Sequence, residues 1–153
     1  MLGAIAGDII GSVYEWKNVK SKEFPLFQSK SKYTDDSVMT LAIAEAIVSG
    51  RSYLDAVRDL GRRYPHAGYG GSFRKWLQGD DTRPYGSWGN GSAMRVSPVG
   101  WAFSSKDEVL VQAERTAAIT HDHPEGIKGA RATALAVFLA RQKYSKAFIK
   151  EEI

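Results

Sequence analysis

The chain has 153 residues, a formal charge of +4, 43% hydrophobic and 25% charged residues, a balance that fits one soluble domain with a packed core and excludes a disordered tail. It contains no cysteine, which excludes disulfides and thiolate metal sites, leaves oxygen or imidazole ligands for any metal, and points to a hard cation such as Mg²⁺. The opening apolar stretch, MLGAIAG, has no basic flank and meets Asp8 too early for a secretion signal or a membrane span, so the expectation is a cytoplasmic protein with no membrane partner.

Residues 2–16 read as the first helix. Leu2, Ile5, Ala6, Ile9 and Val13 share one side, Asp8, Ser12 and Glu15 line a second, and Gly3, Gly7 and Gly11 form a bare stripe. Glycine costs about 1 kcal/mol per helical position, so three in one helix imply close approach by a packed backbone or by a ligand. A lysine-rich stretch follows (Lys17, Lys20, Lys22, Lys30 and Lys32), with Pro25 and little periodicity, and reads as an exposed, solvated loop. No zinc-finger, basic-zipper or RNP spacing accompanies it, so nucleic acid is not expected as a partner.

The second helix is expected from Asp35 to Val48 with Gly50 as its stop, and the third from a cap at Ser52 to Arg63, before Pro65. Residues 66–92 are rich in glycine, with at most a short helix at 73–77; a loop this long is functional or disordered. Its aromatics, Tyr69, Phe73, Trp76, Tyr85 and Trp88, argue for order. Helices resume at 94–103, 106–119 and 124–142, the last with Pro124 and Glu125 in its first turn. The final YSKAFIKEEI starts a capped amphipathic helix at Ser145 without a terminator, as expected of a chain that continues further in its complete form.

Three clusters carry candidate chemistry. Thr34, Asp35 and Asp36 open the second helix, where a hydroxyl can cap and carboxylates favour the macrodipole. Ser37 and the Asp8, Ser12, Glu15 stripe offer further oxygens, and successive helical residues diverge by about 100°, so the two aspartates can reach two ions or two sides of one. In SWGNGSAMR, Gly89 and Gly91 around Asn90 permit either an ordinary tight turn or one whose N–H groups converge on an anion, with Arg95 as an added charge. ITHDHPEGIKGA holds His121 and His123, but no third imidazole or thiol lies close, which favours a polar loop capping the Pro124 helix over a zinc site.

In this order, GDIIGSVYE, YTDDSVM, SWGNGSAMRV and ITHDHPEGIKGA resemble the successive motifs of the ADP-ribosylglycohydrolase family, which includes the dinitrogenase-reductase-activating glycohydrolases. The resemblance spans the chain and corresponds to roughly the N-terminal half of that family. It implies an all-α orthogonal helical bundle around a pair of Mg²⁺ ions and hydrolysis of the bond joining ADP-ribose to a protein side chain or a small acceptor. The implied partner is an ADP-ribosylated protein or another ADP-ribose derivative.

By the same resemblance, Thr34, Asp35 and Asp36 bind metal, Glu15 acts in catalysis together with Asp35 and Asp36, and Asp8 supports the loop or the metal shell. Ser87, Gly89, Asn90, Gly91 and Ser92 receive the diphosphate and the neighbouring ribose, Trp88 stacks on the base, and His121 lies near the distal ribose, with His123 auxiliary. The family completes its metal pair with a later DxDT-type segment. The QGDDTRP stretch, with Asp80, Asp81 and Thr82, precedes the Gly-Asn-Gly turn and has the wrong spacing to supply it. The expectation is therefore a single, incomplete domain over residues 1–153, a metal-dependent hydrolase whose isolated chain has low or no activity. The alternative is an ADP-ribose-binding or inactive structural relative.

Overall fold

A computed structural model describes all 153 residues and is all-α, as expected. Nine helices follow in order: α1 (Leu2–Gly11), α2 (Asp35–Ser49), α3 (Tyr53–Arg63), α4 (Gly71–Gln78), α5 (Gly91–Met94), α6 (Ser97–Ala102), α7 (Lys106–Ala118), α8 (Pro124–Arg141) and α9 (Lys146–Glu152). No helix is long and apolar enough to cross a membrane.

The termini follow local chemistry. Ser52, Ser105 and Ser145 cap α3, α7 and α9, each hydroxyl accepting from the N–H three residues on. Gly50 ends α2 in the left-handed region at φ 71°, which glycine enters without a Cβ penalty. His123 caps α8 by accepting from the Glu125 N–H through Nδ1 at 3.2 Å, the capping role read from the sequence.

Helix α2 contributes four residues to the core. Val38, Met39, Ala42 and Ile43 are buried there and join Val57 of α3, Val99 of α6, Val109 and Ala113 of α7, and Leu135 and Phe138 of α8 in one apolar core. Gly100 lets α6 cross α8 closely: a Cβ at that position would lie 2.6 Å from the Ala134 carbonyl oxygen and 2.8 Å from Val137 Cβ.

Two expectations change. The helix expected over 94–103 is two short helices, α5 and α6, separated at Arg95 and Val96, with Pro98 in the first turn of α6; proline has no N–H with which to continue an unbroken ladder but suits a new start. The first helix ends at Gly11 rather than at residue 16, and it buries none of its residues. Its glycine stripe touches nothing: a Cβ at Gly3, Gly7 or Gly11 would meet no atom within 4 Å. The stripe instead forms one wall of an open groove of about 830 Å³ between α1 and the α5, α6 and α8 side.

Candidate functional site

The start of α2 is organised by Asp8. Its carboxylate accepts from the Thr34 N–H at 2.8 Å, the Thr34 hydroxyl at 2.6 Å, the Ser37 N–H at 3.1 Å and the Ser37 hydroxyl at 2.5 Å. The first orphan donors of α2 are thus satisfied from another helix, and a carboxylate at a helix N-terminus is favoured by the dipole. Thr34 Oγ1 also accepts from the Asp36 N–H at 3.3 Å. These bonds fix the backbone of residues 34–37 and, through it, the directions of Asp35 and Asp36.

The two aspartates face different spaces. Asp36 lines the large groove with Asp8, Ser12, Glu15, Thr34 and Asn90. Asp35 lines a more enclosed cavity of about 210 Å³ with Gly70, Gly71, Ser72, Ser87 and His121. Met94 borders both, so the cavities adjoin on either side of the start of α2, as the divergence of neighbouring helical residues requires.

No ion pair of the structure involves Asp8, Glu15, Asp35 or Asp36. Burial, then the Asp36 charge, raise the Asp35 carboxyl from its ordinary 3.8 to about 6. Asp36 is raised as well, first by burial, then by the charges of Asp8 and Glu15. A concentration of carboxylates without a neutralising cation favours a metal, and an all-oxygen set suits Mg²⁺. The fit is partial, because no three His, Asp or Glu side chains converge on one point.

Other residues lining the smaller cavity favour anions. Helix α4 begins at Gly71, and Gly70 caps it without a side-chain bond, so first-turn N–H groups are left open beside the cavity. Arg95 lines the same space and is 1% exposed. Its Nη2 donates to the Thr116 carbonyl at 2.6 Å and to Thr120 Oγ1 at 2.8 Å, while Nε has no partner. Burial lowers the guanidinium from its ordinary value to about 10, so it keeps its charge at neutral pH.

The 85–89 segment is held onto the 120–122 turn: Ser87 N–H donates to the Thr120 carbonyl at 3.3 Å, and Gly86 N–H to Asp122 Oδ1 at 2.7 Å. His121 is buried at 4% exposure. Burial, then Arg95, push its imidazole down to about 4, so it is neutral at neutral pH. Gly91 admits this ring, since a Cβ there would lie 2.8 Å from its Cε1, and Gly126 admits the Ser87 segment, since a Cβ there would lie 2.7 Å from the Ser87 carbonyl oxygen.

The candidate residues read from the sequence divide accordingly. Asp35, Ser87, Gly91 and His121 meet in the smaller cavity; Glu15, Thr34, Asp36 and Asn90 meet in the larger groove. Ser92 is buried, and its hydroxyl donates to the Gly126 carbonyl at 2.7 Å, which ties α5 to α8. Trp88 is 71% exposed with its ring 6.2 Å from His123, and Gly89 N–H donates to Ser87 Oγ at 3.4 Å; neither residue lines either cavity. Sequence reasoning missed Gly70, Gly71, Ser72 and Tyr85 as cavity residues. The available signal was the length and aromatic content of the 66–92 loop, without any indication of which glycines turn toward Asp35.

Comparison with known proteins locates these residues in a family. The profile described as ADP-ribosylglycohydrolase matches residues 1–152. The chain is 31% identical to ADP-ribosylhydrolase ARH3 of Mus musculus over 95% of this chain and 49% of that protein. It is 31% identical to the Homo sapiens protein of the same name over 99% of this chain and 52% of that protein. The Xenopus tropicalis protein is 30% identical over 93% and 49%, respectively. The chain therefore spans about half the length of the curated relatives it matches.

Proposed function

Because this chain belongs to the ADP-ribosylglycohydrolase family, we propose that it binds the ADP-ribose part of an ADP-ribosylated molecule across the two cavities and contributes to hydrolysis of the glycosidic bond. One juxtaposition carries this reading. Asp35, whose carboxyl is raised to about 6, shares a small cavity with the open first turn of α4, Ser87, Arg95 and His121. A carboxylate end for a sugar centre thus adjoins a donor-rich end for a phosphate. At about 210 Å³ the cavity takes a phosphate and a ribose rather than a whole dinucleotide. The larger groove, with Glu15 and Asp36, has room for the remainder.

In this assignment the α4 N–H groups and Arg95 offset the diphosphate charge, and Ser87 and His121 orient the adjoining ribose. Asp35 approaches that ribose from the smaller cavity and Asp36 and Glu15 from the adjoining groove, so that carboxylates stabilise the positive charge of an oxocarbenium-like ribose. Thr34, Asp35 and Asp36 would hold Mg²⁺, which when bound orients ribose hydroxyls and lowers the pKa of a water. Asp8 keeps these oxygens aimed.

A second reading is ADP-ribose binding without hydrolysis. Its supporting observation is that Asp35 and Asp36 face separate spaces and no third carboxylate or imidazole converges with them. Two measurements divide the readings: calorimetric titration with ADP-ribose, with and without Mg²⁺, and release of ADP-ribose from modified arginine and serine peptides. Binding with Mg²⁺-dependent release that Asp35→Ala abolishes is the expected result for the hydrolase. Binding with no release supports the module, and no binding under either condition refutes both.

A further inference from the structure

The hydrogen bonds behind His121 have a direction that follows from donor chemistry. A guanidinium only donates, so Thr120 Oγ1 is the acceptor of the 2.8 Å bond from Arg95 Nη2. Thr120 is fully buried, and its hydroxyl proton must find an acceptor, since a buried donor left unsatisfied is costly. The acceptor in reach is His121 Nδ1, at 2.8 Å. If Nδ1 carried a proton instead, Thr120 would receive two donors and its own O–H would point into the core. A neutral imidazole that accepts at Nδ1 carries its proton on Nε2.

We propose that Arg95 and Thr120 are positioning residues that lock His121 as an Nε2–H donor, so that the cavity selects a ligand presenting an acceptor oxygen, a ribose hydroxyl or a phosphate, at that point. The far side of the ring fits this assignment. Nε2 makes no hydrogen bond within the chain, lies 2.9 Å from where a Gly91 Cβ would stand, and belongs to a ring that lines the cavity beside Ser87. Both nitrogens are thereby committed, Nδ1 to Thr120 and Nε2 to the ligand. His121 has no free lone pair with which to act as a base; it is a binding group. Its burial beside Arg95 keeps it neutral at neutral pH, which preserves Nδ1 as an acceptor.

The tautomer stands on the hydrogen bonds alone, and its role in recognition rests on the ADP-ribose reading above. The test is a long-range ¹H–¹⁵N correlation spectrum of the whole ¹⁵N-labelled chain, with the three histidines assigned by single substitutions, followed by titration with ADP-ribose. Wild type is expected to show a pyrrole-type Nε2 and a pyridine-type Nδ1 at His121. Thr120→Val, nearly isosteric, is expected to mix the tautomers and weaken ADP-ribose binding about 5- to 10-fold, the loss of one oriented hydrogen bond. Thr120→Ser is expected to restore both. A proton on Nδ1 in wild type, or an unchanged tautomer in Thr120→Val, overturns the lock without the need for any ligand. The Nε2–H form in a chain that binds no ADP-ribose keeps the lock and refutes the recognition role together with the functional reading.

Discussion

Replacing Asp35 with asparagine removes a charge that burial disfavours while keeping side-chain size and a hydrogen-bonding head. Burial and the Asp36 charge raise this carboxyl from 3.8 to about 6. At about 1.4 kcal/mol per pH unit, that displacement corresponds to about 3 kcal/mol between the ionised and neutral forms, and partial solvent access screens it to about 1–2 kcal/mol. The sign follows from proton binding. The folded state holds this proton more tightly than the unfolded chain, so wild-type stability falls as pH rises from about 3.8 to about 6 and is level above that window. Asp35→Asn has no such loss. In a domain of this length its melting temperature is expected to exceed wild type by about 2–8 °C at pH 7.5 in EDTA, with the gain closing below about pH 4. Calorimetry at pH 7.5 and pH 3.5 measures this. A variant no more stable than wild type at pH 7.5, or one whose advantage is the same at pH 3.5, would refute the argument that Asp35 is held at an electrostatic cost. Such a cost is the usual accompaniment of a site kept for binding rather than for stability.

Two further substitutions probe the frame of the site. Asp8→Ala removes the acceptor for two N–H groups and two hydroxyls at the start of α2; the expected loss is about 2–4 kcal/mol, read as a lower urea midpoint, and a change under 0.5 kcal/mol contradicts the organising role of Asp8. Gly91→Ala drives a methyl into His121 Cε1 and Nε2, at 2.8 and 2.9 Å, so the imidazole must leave its place. A cost of about 1–3 kcal/mol in stability and at least a tenfold loss of ADP-ribose affinity are expected, and retained affinity by titration calorimetry shows that His121 does not touch the ligand.

Much of the scaffold was legible because it is local. The serine caps of α3 and α9 and the Gly50 stop depend on residues within four positions of one another. The break between α5 and α6 was not legible by periodicity, since Met94, Val96 and Val99 continue an apolar pattern through it. The close passage of α6 over α8 at Gly100 and the burial of Arg95 are facts of packing between segments. The exposure of α1 is likewise a fact of packing: Leu2 is 84% exposed and the glycine stripe is open, because no neighbouring segment covers that wall.

The candidate site shows the same division. Sequence by itself determined the residue types, an acidic pair at a helix start, a Gly-Asn-Gly turn and a histidine before Pro124, because each motif is contiguous and its backbone chemistry is short-ranged. It also determined the family, through the order of the motifs along the chain. Only the tertiary structure decided that Asp35 and Asp36 open onto different cavities, that Asp8 organises the turn between them, and that the start of α4 faces Asp35. The reason is geometric. A rotation of about 100° between neighbouring helical residues is a local property, whereas what each side chain meets depends on segments far along the chain, from Asp8 to His121 and Val137, whose positions are set by burial of the common core.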